Sequence, residues 1–140
     1  RGCRAPASSD LICRSARRRA SRAGIHGHSR RPDHGVPREP VSFLRSAIRL
    51  RADRLASEGK SPTVVHCSAG IGRTGTLILV ESLLDMMDKG KVIDHADVLE
   101  LLLVLRGFRA QVVQTHEQYE FIHRVADFLN FLQELKYIND

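Results

Sequence analysis

From Pro40 onward, apolar residues recur with helical spacing; before it they follow no period. Over residues 40–57, Val41, Leu44, Ala47, Ile48 and Leu55 fall near one face, and Arg45, Arg49, Arg51 and Arg54 face solvent. That pattern predicts an amphipathic helix with Pro40 at its first position. Glu58-Gly59-Lys60-Ser61-Pro62 ends it, and Val64-Val65 predicts a short buried strand that stops at His66 and Cys67. Between about Arg73 and Asp88, Leu77, Ile78, Leu79, Val80, Leu83, Leu84, Met86 and Met87 cover nearly all sides. A helix that is apolar all round is a buried one. Lys89-Gly90 reads as its C-terminal cap.

Asp94 is placed to cap the next helix, about residues 95–106, with Val98, Leu99, Leu101, Leu102 and Leu105 inward. Arg106-Gly107-Phe108-Arg109-Ala110 breaks the pattern, and residues 111–115 read as a short connector. Thr115 then caps a last helix, with Gln118 at its third position completing a capping box. This helix is predicted to run to about Leu135. Its stripe is Ile122, Val125, Ala126, Leu129 and Leu132, and Phe121, Phe128 and Phe131 predict packing on a second side. His95 and His123 read as surface residues.

Charge changes the picture at the front of the chain. The net charge is +6, yet residues 1–31 hold nine arginines against one acid, while residues 32–140 hold 13 basic and 15 acidic groups. The patterned part is therefore near neutral. Arg17-Arg18-Arg19 and the scattered Ser and Gly predict neither helix nor strand in residues 1–31, and His26 and His28 read as loop histidines. A basic arm can attract nucleic acid or anionic lipid. No aromatic residue interleaves with these arginines, so a solvated arm and no specific nucleic-acid partner are expected. Cys3, Cys13 and Cys67 form no disulfide framework. No apolar run reaches the length of a membrane span.

The chemistry concentrates in residues 64–76, Val-Val-His-Cys-Ser-Ala-Gly-Ile-Gly-Arg-Thr-Gly-Thr. Strand, tight loop, helix N-terminus is a geometry that binds anions, because consecutive backbone N–H groups point into the loop and the helix dipole adds partial positive charge. The same N–H groups stabilise a thiolate, so Cys67 is expected to ionise readily, and a reactive thiol calls for a reducing, cytosolic setting. Gly70, Gly72 and Gly75 also satisfy a dinucleotide pattern, with Asp94 about twenty residues on. However, Asp94 precedes a helical pattern instead of ending a second strand, and Arg73 is bulky for a pyrophosphate turn. A zinc site at His66-Cys67 lacks a second ligand pair at suitable spacing.

Ten consecutive residues, His66 to Gly75, closely resemble the Cys-x5-Arg signature of the protein-tyrosine phosphatases. Pro32-Asp33-His34-Gly35-Val36-Pro37 resembles that family's mobile acid-bearing loop, with Arg31 where the family has Trp. Val113 to His123 resembles the glutamine-bearing motif of the tyrosine-specific branch. The resemblance implies an α/β fold with a central twisted sheet flanked by helices, here mainly the C-terminal helical half plus the signature-loop strand. It covers residues 32–140 as a partial catalytic domain and leaves residues 1–31 as a basic, disordered or non-homologous segment, expected to be misread or spliced in.

The resemblance also implies roles. Cys67 would be the nucleophile toward phosphotyrosine in proteins, forming a cysteinyl-phosphate. Backbone N–H groups of Ser68, Ala69, Gly70, Ile71, Gly72 and Arg73 would hold the phosphoryl oxygens, with the Arg73 guanidinium as a fork. Asp33 would be the general acid and then the base, and Gln114, assisted by Gln118, would position the hydrolytic water. Thr74 would donate its hydroxyl to the departing thiolate, and His66 would help hold that thiolate from behind. No metal or other cofactor is implied. Arg31 and the missing N-terminal half favour a rival, a pseudophosphatase that binds phosphotyrosine or scaffolds; intact Cys67, Arg73, Asp33 and Gln114 favour catalysis.

Overall fold

The computed structural model describes residues 10–15, 23–26, 36–37, 39–56 and 63–139. Among the described residues, three strands and four helices follow in chain order: β1 (Asp10–Ser15), β2 (Ala23–His26), α1 (Pro40–Ala56), β3 (Thr63–His66), α2 (Gly72–Asp88), α3 (His95–Phe108) and α4 (His116–Asn139).

The strands form one antiparallel sheet in the order β2-β1-β3, with Leu11 opposite Ile25, Cys13 opposite Val65 and Ile12 opposite His66. β1 and β2 correct the expectation that residues 1–31 contain no strand, and His26 ends a strand instead of sitting in a loop. Their pairing is what makes them strands: β3, some fifty residues on, supplies a ladder for β1, and β1 in turn supplies one for β2, neither of which local alternation announces. Cys3, Arg17-Arg18-Arg19, His28, Arg31 and Asp33 lie outside the described residues.

The core is helical, and α2 packs chiefly on α4. Leu77, Leu79, Val80, Leu83 and Leu84 from α2 meet Phe121, Ile122, Val125, Ala126 and Leu129 from α4. α1 joins through Phe43, Leu44, Ala47 and Leu50, and Phe43 meets Phe121 edge to face at 5.1 Å. This stripe is turned from the predicted one, leaving Val41, Ile48 and Leu55 exposed. Its two outer arginines are not simply solvated: Arg51 bridges Asp85 and Asp88, and Arg54 reaches Glu81, all on α2. In α3 only Val98 and Leu102 are fully buried among the predicted five; Leu101 and Leu105 are half-buried and Leu99 is exposed. Along α4 the second stripe holds at Phe121 and weakens outward, with Phe131 exposed.

The predicted caps form. Asp94 accepts from the Asp97 N–H and Asp97 accepts from the Asp94 N–H, a reciprocal box that starts α3. After α2, the Gly90 N–H reaches Met87 O and the Lys91 N–H reaches Met86 O, with Gly90 at φ 75. That left-handed turn is the reason for a glycine there. Asn130 ties α4 to the entry of α3, donating to Ile93 O and accepting from the Ile93 N–H. No helix among the described residues is long and apolar enough to cross a membrane.

Candidate active site

β3 delivers His66 and Cys67 to a loop of four residues, after which α2 begins at Gly72. Ile71 is the residue before the helix, makes no side-chain cap and is followed by no acid in the first turn. The positive end of the α2 dipole therefore faces the Cys67 loop with no carboxylate in its own first turn to offset it. Gly70 turns the loop at φ 69, which favours glycine, and its N–H donates to Cys67 Sγ at 3.2 Å.

Partial burial pushes the Cys67 thiol up, but other effects prevail and hold it below the usual thiol range. They are the Thr74 hydroxyl and amide, the Gly70 amide and the Arg73 charge. The Thr74 hydroxyl is buried and is among the groups that favour the thiolate. Arg73 lies on the first turn of α2 and donates from Nη2 to Ser68 Oγ at 3.0 Å, which folds its guanidinium back over the loop. Among the described residues, no three His, Cys, Asp or Glu side chains gather as metal ligands would.

The glutamine segment, more than forty residues away in sequence, comes to the same place. Gln118 is fully buried; its Oε1 accepts from the Gln114 N–H at 2.8 Å and the Thr115 N–H at 3.2 Å. Its own N–H donates to Thr115 Oγ1, closing the predicted box. A Cβ placed on Gly72 would lie 2.9 Å from Gln118 Nε2 and 3.3 Å from Gln114 Oε1, so both amides abut the start of α2. Gly72 is a glycine because these side chains fill the space a Cβ would take.

Of the residues singled out in the sequence, Gln114 and Gln118 come against Gly72, at the start of the helix that follows the Cys67 loop. Asp33 and Arg31 lie outside the described residues; Val36 packs on the core. Two residues escaped the reading. Arg109 donates from Nη2 to Ala69 O at 3.1 Å, bracing the cysteine loop from the end of α3. Arg106 donates from Nε to Val112 O and from Nη2 to Val113 O, each at 3.1 Å. Their only trace in the sequence is a pair of arginines in the segment that breaks the helical pattern.

A sequence model of the family described as Protein-tyrosine phosphatase matches residues 13–127. The chain belongs to the protein-tyrosine phosphatase family. Its fold is accordingly the cysteine-based phosphatase fold, and the match begins within the arginine-rich stretch, at a residue of β1. Tyrosine-protein phosphatase Lar of Drosophila melanogaster is 46% identical over 92 residues, 66% of this chain and 4% of that protein. Tyrosine-protein phosphatase non-receptor type 2 of Mus musculus is 42% identical over 90 residues, 64% of this chain and 21% of the relative. Receptor-type tyrosine-protein phosphatase R of Rattus norvegicus is 45% identical over 92 residues, 66% of this chain and 14% of the relative. The chain thus spans at most about a fifth of the length of these relatives.

Proposed function

We propose that the chain carries the catalytic machinery of a phosphotyrosine hydrolase within residues 32–140. The observation that carries this reading is the Cys67 loop at the uncapped start of α2: the Gly70 N–H donates to the sulfur, the thiol is held below its usual range, Arg73 folds back to Ser68, and Gln114 and Gln118 abut Gly72. In the first step the Cys67 thiolate attacks phosphorus, the bond from phosphorus to the tyrosyl oxygen breaks, and Asp33 gives its proton to the leaving phenolate. The N–H groups of residues 68–73 and the Arg73 fork hold the three equatorial oxygens throughout. In the second step water attacks the phosphocysteine, Asp33 takes the proton, the S–P bond breaks and inorganic phosphate leaves. Gln114 and Gln118 orient that water, and Thr74 supports the departing thiolate.

His66 helps hold the thiolate and does not act as a base. The β3 strand is taken to sit in a larger twisted sheet flanked by helices in the whole catalytic domain. Substrates are phosphotyrosine-bearing proteins, and a thiolate nucleophile suits a reducing, cytoplasmic compartment. The test uses the purified chain under reducing conditions with a small aryl phosphate. Hydrolysis is expected, with Cys67→Ser abolishing turnover while phosphopeptide binding persists. Phosphopeptide binding by a folded chain that turns over no aryl phosphate would sink the catalytic reading in favour of a binding module.

A further inference from the structure

The connector that carries Gln114 is held in an unfavourable shape. Gln111 and Val113 both lie in the left-handed region, at φ 64 and φ 58. For a β-branched residue this is a conformation the chain leaves unless it is held. Three holds are present. The Val113 N–H donates to Ile71 O at 3.1 Å, and the Gln114 N–H donates to Gln118 Oε1. The third is Arg106, on the last turn of α3, whose two donors take the consecutive carbonyls of Val112 and Val113. A planar fork can take both carbonyls at once, where an ammonium would take them as a point charge.

We propose that Arg106 is a positioning residue for Gln114: its fork fixes the Val112–Val113 backbone in the strained shape that aims Gln114 at the first turn of α2. This rests on the reading of Gln114 as the group that orients hydrolytic water. Water enters only the second step. Loss of the fork therefore slows hydrolysis of the phosphocysteine and leaves its formation nearly intact. A purely structural role for Arg106 would depress both steps alike.

The experiment uses the full chain with 4-nitrophenyl phosphate. In Arg106→Gln, kcat is expected to fall by between about ten- and a hundredfold, the range for a displaced positioning group. The ratio kcat/KM, which reports only the first step, is expected to stay within about threefold. Nitrophenolate then appears in a burst approaching one per enzyme, and Arg106→Lys, which keeps the charge and the stem, behaves likewise. The double variant with Gln114→Ala is no slower than Gln114→Ala alone, because the two act through one group.

A second readout needs no turnover. Amide exchange at Val113 and Gln114 is expected to quicken by about tenfold in both Arg106 variants, with Leu83 in α2 unchanged. Unchanged exchange at those two amides, or kcat and kcat/KM falling together without a burst, overturns the proposal. If the unaltered chain turns over no aryl phosphate, the phosphatase reading is what fails, and the exchange result alone decides whether Arg106 holds the connector.

Discussion

Two glycines inside helices make opposite predictions for the same substitution. A Cβ on Gly75 would sit 2.5 Å from Val112 Cγ1 and 2.8 Å from the Val113 nitrogen. Carbon atoms rest about 3.5–4.0 Å apart, so the first contact is about 1 Å too close. Val112 could change rotamer, at a cost, because it is buried. The Val113 nitrogen cannot turn aside: it is backbone, and its N–H is spent on Ile71 O. Gly75→Ala must therefore push the Val112–Gln114 backbone off α2, an overpacking cost of about 1–3 kcal/mol. A Cβ on Gly107, in α3, meets nothing within 4 Å. Gly107→Ala gains only the helix preference of alanine, up to about 0.5–1 kcal/mol.

That helix gain is common to both sites to first order. The difference between the two variants is therefore the clash itself, about 1–3 kcal/mol with Gly75→Ala the less stable. Urea unfolding followed by far-ultraviolet circular dichroism measures it, since the chain has no tryptophan to report by fluorescence. If Gly75→Ala proves as stable as Gly107→Ala, the connector does not lie against α2 as described, and the site built on that contact falls with it.

Other outcomes follow from the same geometry. Thr74→Val keeps the shape and removes the hydroxyl that acts on Cys67, so the pH profile of iodoacetamide alkylation should move to higher pH; an unmoved profile would show the hydroxyl to be irrelevant to the sulfur. Because the folded thiol loses its proton at lower pH than the unfolded one, the unfolded chain binds more protons between the two values. Stability from this source is complete above the ordinary thiol value and is lost as pH falls through the folded one; Cys67→Ser should flatten that slope in urea titrations. Gln118→Ala removes the acceptor of the Gln114 and Thr115 N–H groups and should cost about 0.5–1.5 kcal/mol for each bond lost, read from the urea midpoint. Asp94→Ala removes one half of the α3 box and should cost about 1 kcal/mol, with a negligible loss counting against the cap.

What could be read in advance was what is local. Thr115 with Gln118, Asp94 at the start of α3, and Gly90 after α2 each close bonds within a few residues, so spacing alone announces them, while the return bond from Asp97 was not read. The run from His66 to Gly75 announces its loop for the same reason. Distant partners decided what was not legible. β1 becomes a strand by pairing with β3 and β2 by pairing with β1, and no alternation in an arginine-rich stretch points there. The buried face of α1 is set by Phe43 meeting Phe121, which rotates Ile48 and Leu55 into solvent against the helical count. Arg109 reaches Ala69 across forty positions, and Arg106 works on backbone oxygens, which carry no residue type for a motif to register.

The Ile71 carbonyl accepts from both the Gly75 N–H of α2 and the Val113 N–H of the connector, each at 3.1 Å. One oxygen thus serves as a common datum for two pieces of chain that meet nowhere else in sequence. In a mechanism assembled from parts, errors of placement add along the path that joins them. Here the path from the helix that follows Cys67 to the residue before Gln114 is two hydrogen bonds long and has a single pivot. A displacement of the Ile71 carbonyl therefore acts on the first turn of α2 and on the connector at once.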